Sequence, residues 1–141
     1  METIKNPVNL FWLCTLLHLI ADYTLQGCLT NLKQKSWWDE QLKKFAYQTN
    51  DTDKQHQIFK KYEYDYMAGL YCHSFMWGIL TFLPVLFIAT PYAFSAVVFT
   101  NSVIHIIVDH MKANLYVINL CQDQLLHLLQ IVVTVVLVCY I

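Results

Sequence analysis

The chain has 141 residues, 57% of them apolar and 13% charged, with a formal net charge of −1. Soluble domains average roughly 45–50% apolar and about 25% charged, and a chain this short cannot bury such an excess in a core of its own. The balance excludes a basic nucleic-acid binder and leaves lipid as the solvent for the surplus. All nine basic residues are lysines, so bidentate arginine recognition of phosphate is also excluded. The five cysteines are odd in number and lack C-x-x-C spacing, which implies no disulfide framework.

In chain order, the Met1–Asn6 head carries one lysine and precedes an apolar run without a small-x-small cleavage site. It reads as the start of a retained helix, not a signal peptide. The first spanning segment is expected over 7–29, with Pro7 in the first turn, where its missing N–H costs nothing. A polar segment, 30–66, follows. Within it Ser36-Trp37-Trp38-Asp39 resembles a capping box, and Trp38, Leu42 and Phe45 fall on one face. That pattern predicts an amphipathic helix lying in the membrane interface. Asn50-Asp51-Thr52-Asp53 predicts a turn and a fresh cap, after which Ile58, Tyr62 and Tyr66 lead into the next span.

The remaining spans are expected over 67–89, ending at Thr90-Pro91, then 93–111 and 120–141. Each approaches the ~20 residues needed to cross a bilayer. The expected fold is one all-α domain: a four-transmembrane-helix bundle with an interfacial helix in its first loop. Seven lysines lie in 30–66 and Lys112 ends the third span, with only Lys5 on the other side. Positive charge stays inside, so the expectation is a multi-pass inner (cytoplasmic) membrane protein with both termini outside.

The polar residues inside these spans are the informative ones. The first segment carries His18, Asp22 and Gln26 at i, i+4, i+8, and the third repeats this with Asn101, His105 and Asp109. The second has His73, with Ser74, Trp77 and Thr81 nearby, and the fourth has Asp123, His127, Gln130 and Thr134 along one face. At ~1.5 Å rise per residue, Asp22, His73, His105 and His127 each lie about 10 Å from the cytoplasmic end of their helices. Four antiparallel segments thus bring ionisable groups to one depth, although a central Asp costs approximately 2.5–3.5 kcal/mol to insert.

A divalent metal is the simplest common partner, zinc first, with manganese or iron also compatible. The candidate ligands are His18, Asp22, His73, His105, Asp109, Asp123 and His127. Seven exceed the four of a structural zinc site, so either two ions bind or some carboxylates orient histidines. Cys28, Cys72 and Cys121 are alternative soft ligands or apolar fillers. His56 reads as solvated, and His110 points away from Asp109.

The segments His18-x3-Asp22-Tyr23-x2-Gln26, His105-x3-Asp109-x2-Lys112 and Asp123-Gln124-x2-His127 resemble the bacterial and phage membrane family known as domain of unknown function 3307. The likeness covers nearly the whole chain in order. Tyr23 replaces the usual phenylalanine, and the loop after Cys28 is long. This resemblance implies a small integral membrane protein but no activity. A looser similarity in motif style exists to membrane-bound metal-dependent hydrolases.

Two functional expectations compete. In the first, the chain is a metal-dependent hydrolase with Asp22 or Asp123 as general base and Lys112 steadying an anion, on a phosphoester or lipid-linked substrate. In the second, it is a non-enzymatic accessory protein, of a phage-exclusion or counter-defence type, whose cluster locks the bundle while 30–66 docks a protein partner or the anionic leaflet. A homo-oligomer is compatible with both. A proton path is disfavoured, because the stripes stop in one half of the helices.

Overall fold

The structure, a computed structural model, describes residues 5–49 and 51–140. These residues form helices and turns, with no strand among them. Helix α1 (Pro7–Leu19) starts where Asn6 accepts hydrogen bonds from the backbone of Val8 and Asn9, with Pro7 in its first turn. A π-helical turn, Ile20–Thr24, continues it. Short α2 (Leu29–Leu32), α3 (Lys35–Ala46) and α4 (Thr52–Tyr62) make up the polar segment. Helix α5 (Asp65–Thr81) runs into a 3-10 turn, Leu83–Phe87, and α6 (Pro91–Ala113) and α7 (Leu120–Tyr140) complete the chain.

Helices α1, α5, α6 and α7 close a four-sided bundle, each packing on two others in the order α1–α5–α6–α7–α1. Its two ends differ. Leu10, Cys14, Trp77, Phe82, Val85, Ile131 and Val135 form an apolar core toward one end. The other end buries His18, Asp22, His73, His105, Asp109, Asp123 and His127. Buried polar and charged side chains are as numerous as buried apolar ones among the described residues, while Trp12, Ile79, Phe99, Ile107, Leu129 and Val136 face outward. Soluble domains bury fewer polar groups and expose fewer large apolar ones.

As single helices, Pro91–Ala113 and Leu120–Tyr140 are long and apolar enough to cross a membrane. The other two expected spans are divided. The first gives way to the π turn and then to Gly27, whose φ of +48° ends helical geometry. The second stops at Thr81, since Pro84 cannot donate in a continuing helix and restricts the residue before it.

The polar segment differs in detail from its expectation. Ser36 lies within α3 and makes no cap: Gln34 holds the N-cap position without a side-chain bond, and Asp39 pairs with Lys35 at 3.1 Å instead. Leu42 is buried but Phe45 is exposed; Ala46 shares the inner face. Asp51 caps α4 as expected, through the backbone N–H groups of Asp53 and Lys54, while Asn50 lies outside the described residues. The chain breaks at 63–64 before α5 instead of running straight on.

Candidate metal centre

All four bundle helices contribute to the polar end. His73 Nε2 lies 3.2 Å from His105 Nε2, 3.2 Å from Asp109 Oδ2 and 3.5 Å from Asp22 Oδ1. His105 Nε2 is 3.6 Å from that same Asp109 oxygen. The other oxygen of Asp109 lies 3.5 Å from His127 Nε2, which is 3.3 Å from Asp123 Oδ1. Two ligand groups result, Asp22–His73–His105 and His105–Asp109–His127, with ligand atoms within 4.8 Å of one another in each. They share His105.

These separations suit a metal. Tetrahedral zinc with ligands at 2.0–2.2 Å places neighbouring ligand atoms about 3.3–3.6 Å apart. The orphaned atoms agree with that reading. His127 Nε2 and Asp123 Oδ1 are buried, face each other at 3.3 Å, and neither makes a hydrogen bond among the described residues. Such pairs are rare and costly without a third partner.

The imidazoles are aligned by stacking. Trp77 lies 4.0 Å from His105, ring centre to ring centre, and His105 lies 4.2 Å from His127. Nδ1 of both histidines lacks a partner among the described residues, so stacking fixes these rings in place of the second hydrogen bond common at metal-bound imidazoles.

His18 behaves differently from its expectation as a ligand. Trp77 donates its indole N–H to His18 Nδ1 at 2.7 Å, and His18 Nε2 meets Gln124 Oε1 at 3.2 Å. Both nitrogens are taken, and His18 is absent from the two ligand groups. Gln124 donates to Asp22 Oδ2 (3.1 Å) and to Asp123 Oδ2 (3.0 Å). Gln26 donates to Asp22 Oδ1 at 2.7 Å and also to the Asp22 backbone carbonyl. Asp22 itself stands in the π-helical turn, a geometry often found at functional sites.

The backbone N–H of Asn119 donates to Gln122 Oε1 (2.9 Å) and that of Gln122 to Asn119 Oδ1 (3.0 Å), a capping box that sets Asp123 and His127 in the first turns of α7. Lys112 donates to Asp123 Oδ2 at 2.7 Å. His110 stays outside the cluster, stacked on Tyr66, and His56 is exposed. Cys28, Cys72 and Cys121 are exposed and do not join the ligands.

Sequence reasoning missed Lys33. Its ammonium donates to Asp109 Oδ2 at 2.6 Å, and its side chain is only 9% exposed. Asn114 holds it there, donating to the Lys33 carbonyl (3.1 Å) and accepting from the Lys35 N–H (2.7 Å). Nothing in local spacing distinguishes Lys33 from six other lysines in 30–66; the signal is the fold-back of α2 onto α5. Gln124 was legible only as part of the Asp-Gln-x2-His run.

One chain encloses the cluster: His105, Asp123 and His127 are fully buried. A cavity of about 450 Å³, lined by Asp22, Gln26, Lys33, Asp109, Lys112 and Tyr116 among others, adjoins it on the side of 30–34. Searches of family models, curated proteins and solved structures give no match to the chain.

Proposed function

We propose that the chain is an integral membrane protein of four spanning segments whose His/Asp cluster binds one divalent ion, zinc by preference, and hydrolyses a phosphoester or lipid-linked substrate at the membrane face. The placing of His73, His105 and His127 Nε2 each within 3.2–3.6 Å of a carboxylate oxygen of Asp109 carries this reading. The outward apolar faces of all four bundle helices support the membrane assignment. So do the ordered motifs that resemble the family of small bacterial and phage membrane proteins.

Charge favours one ion over two. Three carboxylates meet two ammonium groups in the cluster, so one negative charge remains with the imidazoles neutral. In a dry site, net charge is expensive. A single divalent ion reverses the excess to one positive charge, which an anionic substrate neutralises; two ions would leave three.

Within this reading His73, His105, His127 and Asp109 hold the ion. When bound, it supplies a polarised water and Lewis acidity toward a phosphoryl or acyl oxygen. Asp22 lines the cavity and is steadied by Gln26 and Gln124, so it is the general base. Asp123 is fully buried and tied to Lys112, which suits it to orienting His127. Lys112 reaches the cavity wall and steadies an anionic group.

One observation favours the structural alternative. Asp109 and Asp123 already hold lysines at 2.6 and 2.7 Å, as a packing device would. Detergent-purified protein separates the readings. Elemental analysis should find one zinc, manganese or iron per chain, and Asp22→Asn should abolish phosphoesterase activity while folding and metal survive. A metal-free wild-type protein would overturn both metal readings. Metal and stability lost together, with no activity in the wild type, would leave the structural role.

A further inference from the structure

Anything that reaches the cluster from the polar segment passes through the cavity of about 450 Å³, whose floor is Asp22 and Asp109. That volume falls within the usual range for a small-molecule site, roughly 300–1,000 Å³. Two lysines line it. Lys33 is the more buried, and its ammonium rests on Asp109 Oδ2 at 2.6 Å. The same oxygen lies 3.2 Å from His73 Nε2 and 3.6 Å from His105 Nε2. An ion that takes this oxygen together with the two imidazoles therefore competes with the ammonium for it.

The backbone of Lys33 cannot follow its side chain away. Asn114 bonds the Lys33 carbonyl and the Lys35 N–H, Trp38 donates to the Leu32 carbonyl at 2.8 Å, and Leu32 lies against Gly69. Only the flexible stem is free to swing, and the open space beside it is the cavity. There the ammonium meets Lys112 and the amide of Gln26, and once the ion has claimed Asp109 the remaining carboxylate of the lining, Asp22, already accepts from Gln26 and Gln124 on its two oxygens. A buried ammonium requires an anion. Compact, oxygen-rich anions suit lysine, which acts as a point charge with rotatable donors.

Resting on the metal-site reading above, we infer that this cavity binds a phosphate-like anion, and that Lys33 becomes its principal ligand when a divalent ion displaces it from Asp109. The ion and the anion then bind with positive coupling, each strengthening the other. The same residue that guards the empty cluster recognises the substrate of the filled one.

Calorimetric titration tests this with zinc and with methylphosphonate, a non-hydrolysable phosphate monoester analogue, on full-length protein in phosphatidylcholine nanodiscs. Wild type should bind methylphosphonate only after zinc. Lys33→Met should bind zinc about tenfold more tightly, its competitor gone, and methylphosphonate at least tenfold more weakly in the zinc form. If Lys33→Met is not monodisperse, Lys33→Gln carries the same expectation, since it also removes the positive charge that competes for Asp109. Nanodiscs containing phosphatidic acid identify the source: suppression of methylphosphonate binding marks a lipid headgroup, and unchanged binding a soluble phosphate. Equal methylphosphonate binding with and without zinc, or no change in Lys33→Met, overturns the inference alone. Absence of zinc binding in the wild type overturns the metal reading and this inference with it.

Discussion

Gly69 lies so close to the backbone of Leu32 that a β-carbon added to it would meet the Leu32 carbonyl oxygen at 2.5 Å and carbonyl carbon at 2.6 Å. Backbone atoms cannot rotate aside, so Gly69→Ala must push α2 off α5 and carry Lys33 from Asp109. Overpacking of this kind costs about 1–3 kcal/mol. Gly69→Ala should therefore lower the thermal midpoint in detergent by several degrees. Gly27→Ala, at a φ of +48° but with open space around it, should cost less, about 1 kcal/mol, and leave Lys33 in place. An equal effect of the two substitutions would show that the Gly69–Leu32 contact does not position the lysine.

That contact also shows where the sequence stops being legible. The helical spacing of His18/Asp22, His105/Asp109 and Asp123/His127 was readable because each pair shares a face of its own helix. Depth counting then placed them together, and the structure groups Asp22 with His73 and His105, and His105 with Asp109 and His127. Lys33 and the hydrogen bonds that hold His18 are not legible in the sequence, for one reason. Their roles depend on partners far away in the chain, Asp109 for the first, Trp77 and Gln124 for the second, and periodicity carries no information about contacts between helices. The π turn at Ile20–Thr24 was hidden similarly, since five apolar-to-polar residues read alike in α- and π-geometry.

His105 belongs to both ligand groups, whereas His18 belongs to neither. Alanine at His105 should reduce bound metal to a trace in elemental analysis. His18→Ala should retain metal yet lose stability, because it orphans the buried indole N–H of Trp77, at a cost of about 1–3 kcal/mol. His110→Ala, outside the cluster, should leave the bound metal unchanged. Metal loss in His18→Ala comparable to that in His105→Ala would mean that His18 turns its nitrogens inward in the metal-bound protein.

Asn114 uses both ends of its amide on the chain around Lys33. Asn114→Asp keeps an acceptor for the Lys35 N–H but removes the donor to the Lys33 carbonyl, and Asn114→Ala removes both. Losing one satisfied buried hydrogen bond costs about 0.5–1.5 kcal/mol, so stability should fall in the order wild type, Asp, Ala. Amide hydrogen exchange should speed up over 32–35 in the same order. Faster exchange spread evenly along α6 instead would show that Asn114 serves the end of its own helix and not the loop.

Seven of nine lysines lie in 30–66, and the cavity opens among residues of that segment. Lysine-rich loops remain cytoplasmic, so the substrate side should be the cytoplasmic side. His56 is exposed on α4, and Tyr92 is exposed in the first turn of α6, at the opposite end of the bundle. In a background freed of its native cysteines, His56→Cys should react with a membrane-impermeant maleimide only in inverted vesicles, and Tyr92→Cys only in intact cells. The two positions are read against each other, so poor reactivity at one cannot be mistaken for burial of the whole face. Labelling of His56→Cys in intact cells would place the cavity outside, where the lysines would then draw anions from the medium in place of the cytoplasm.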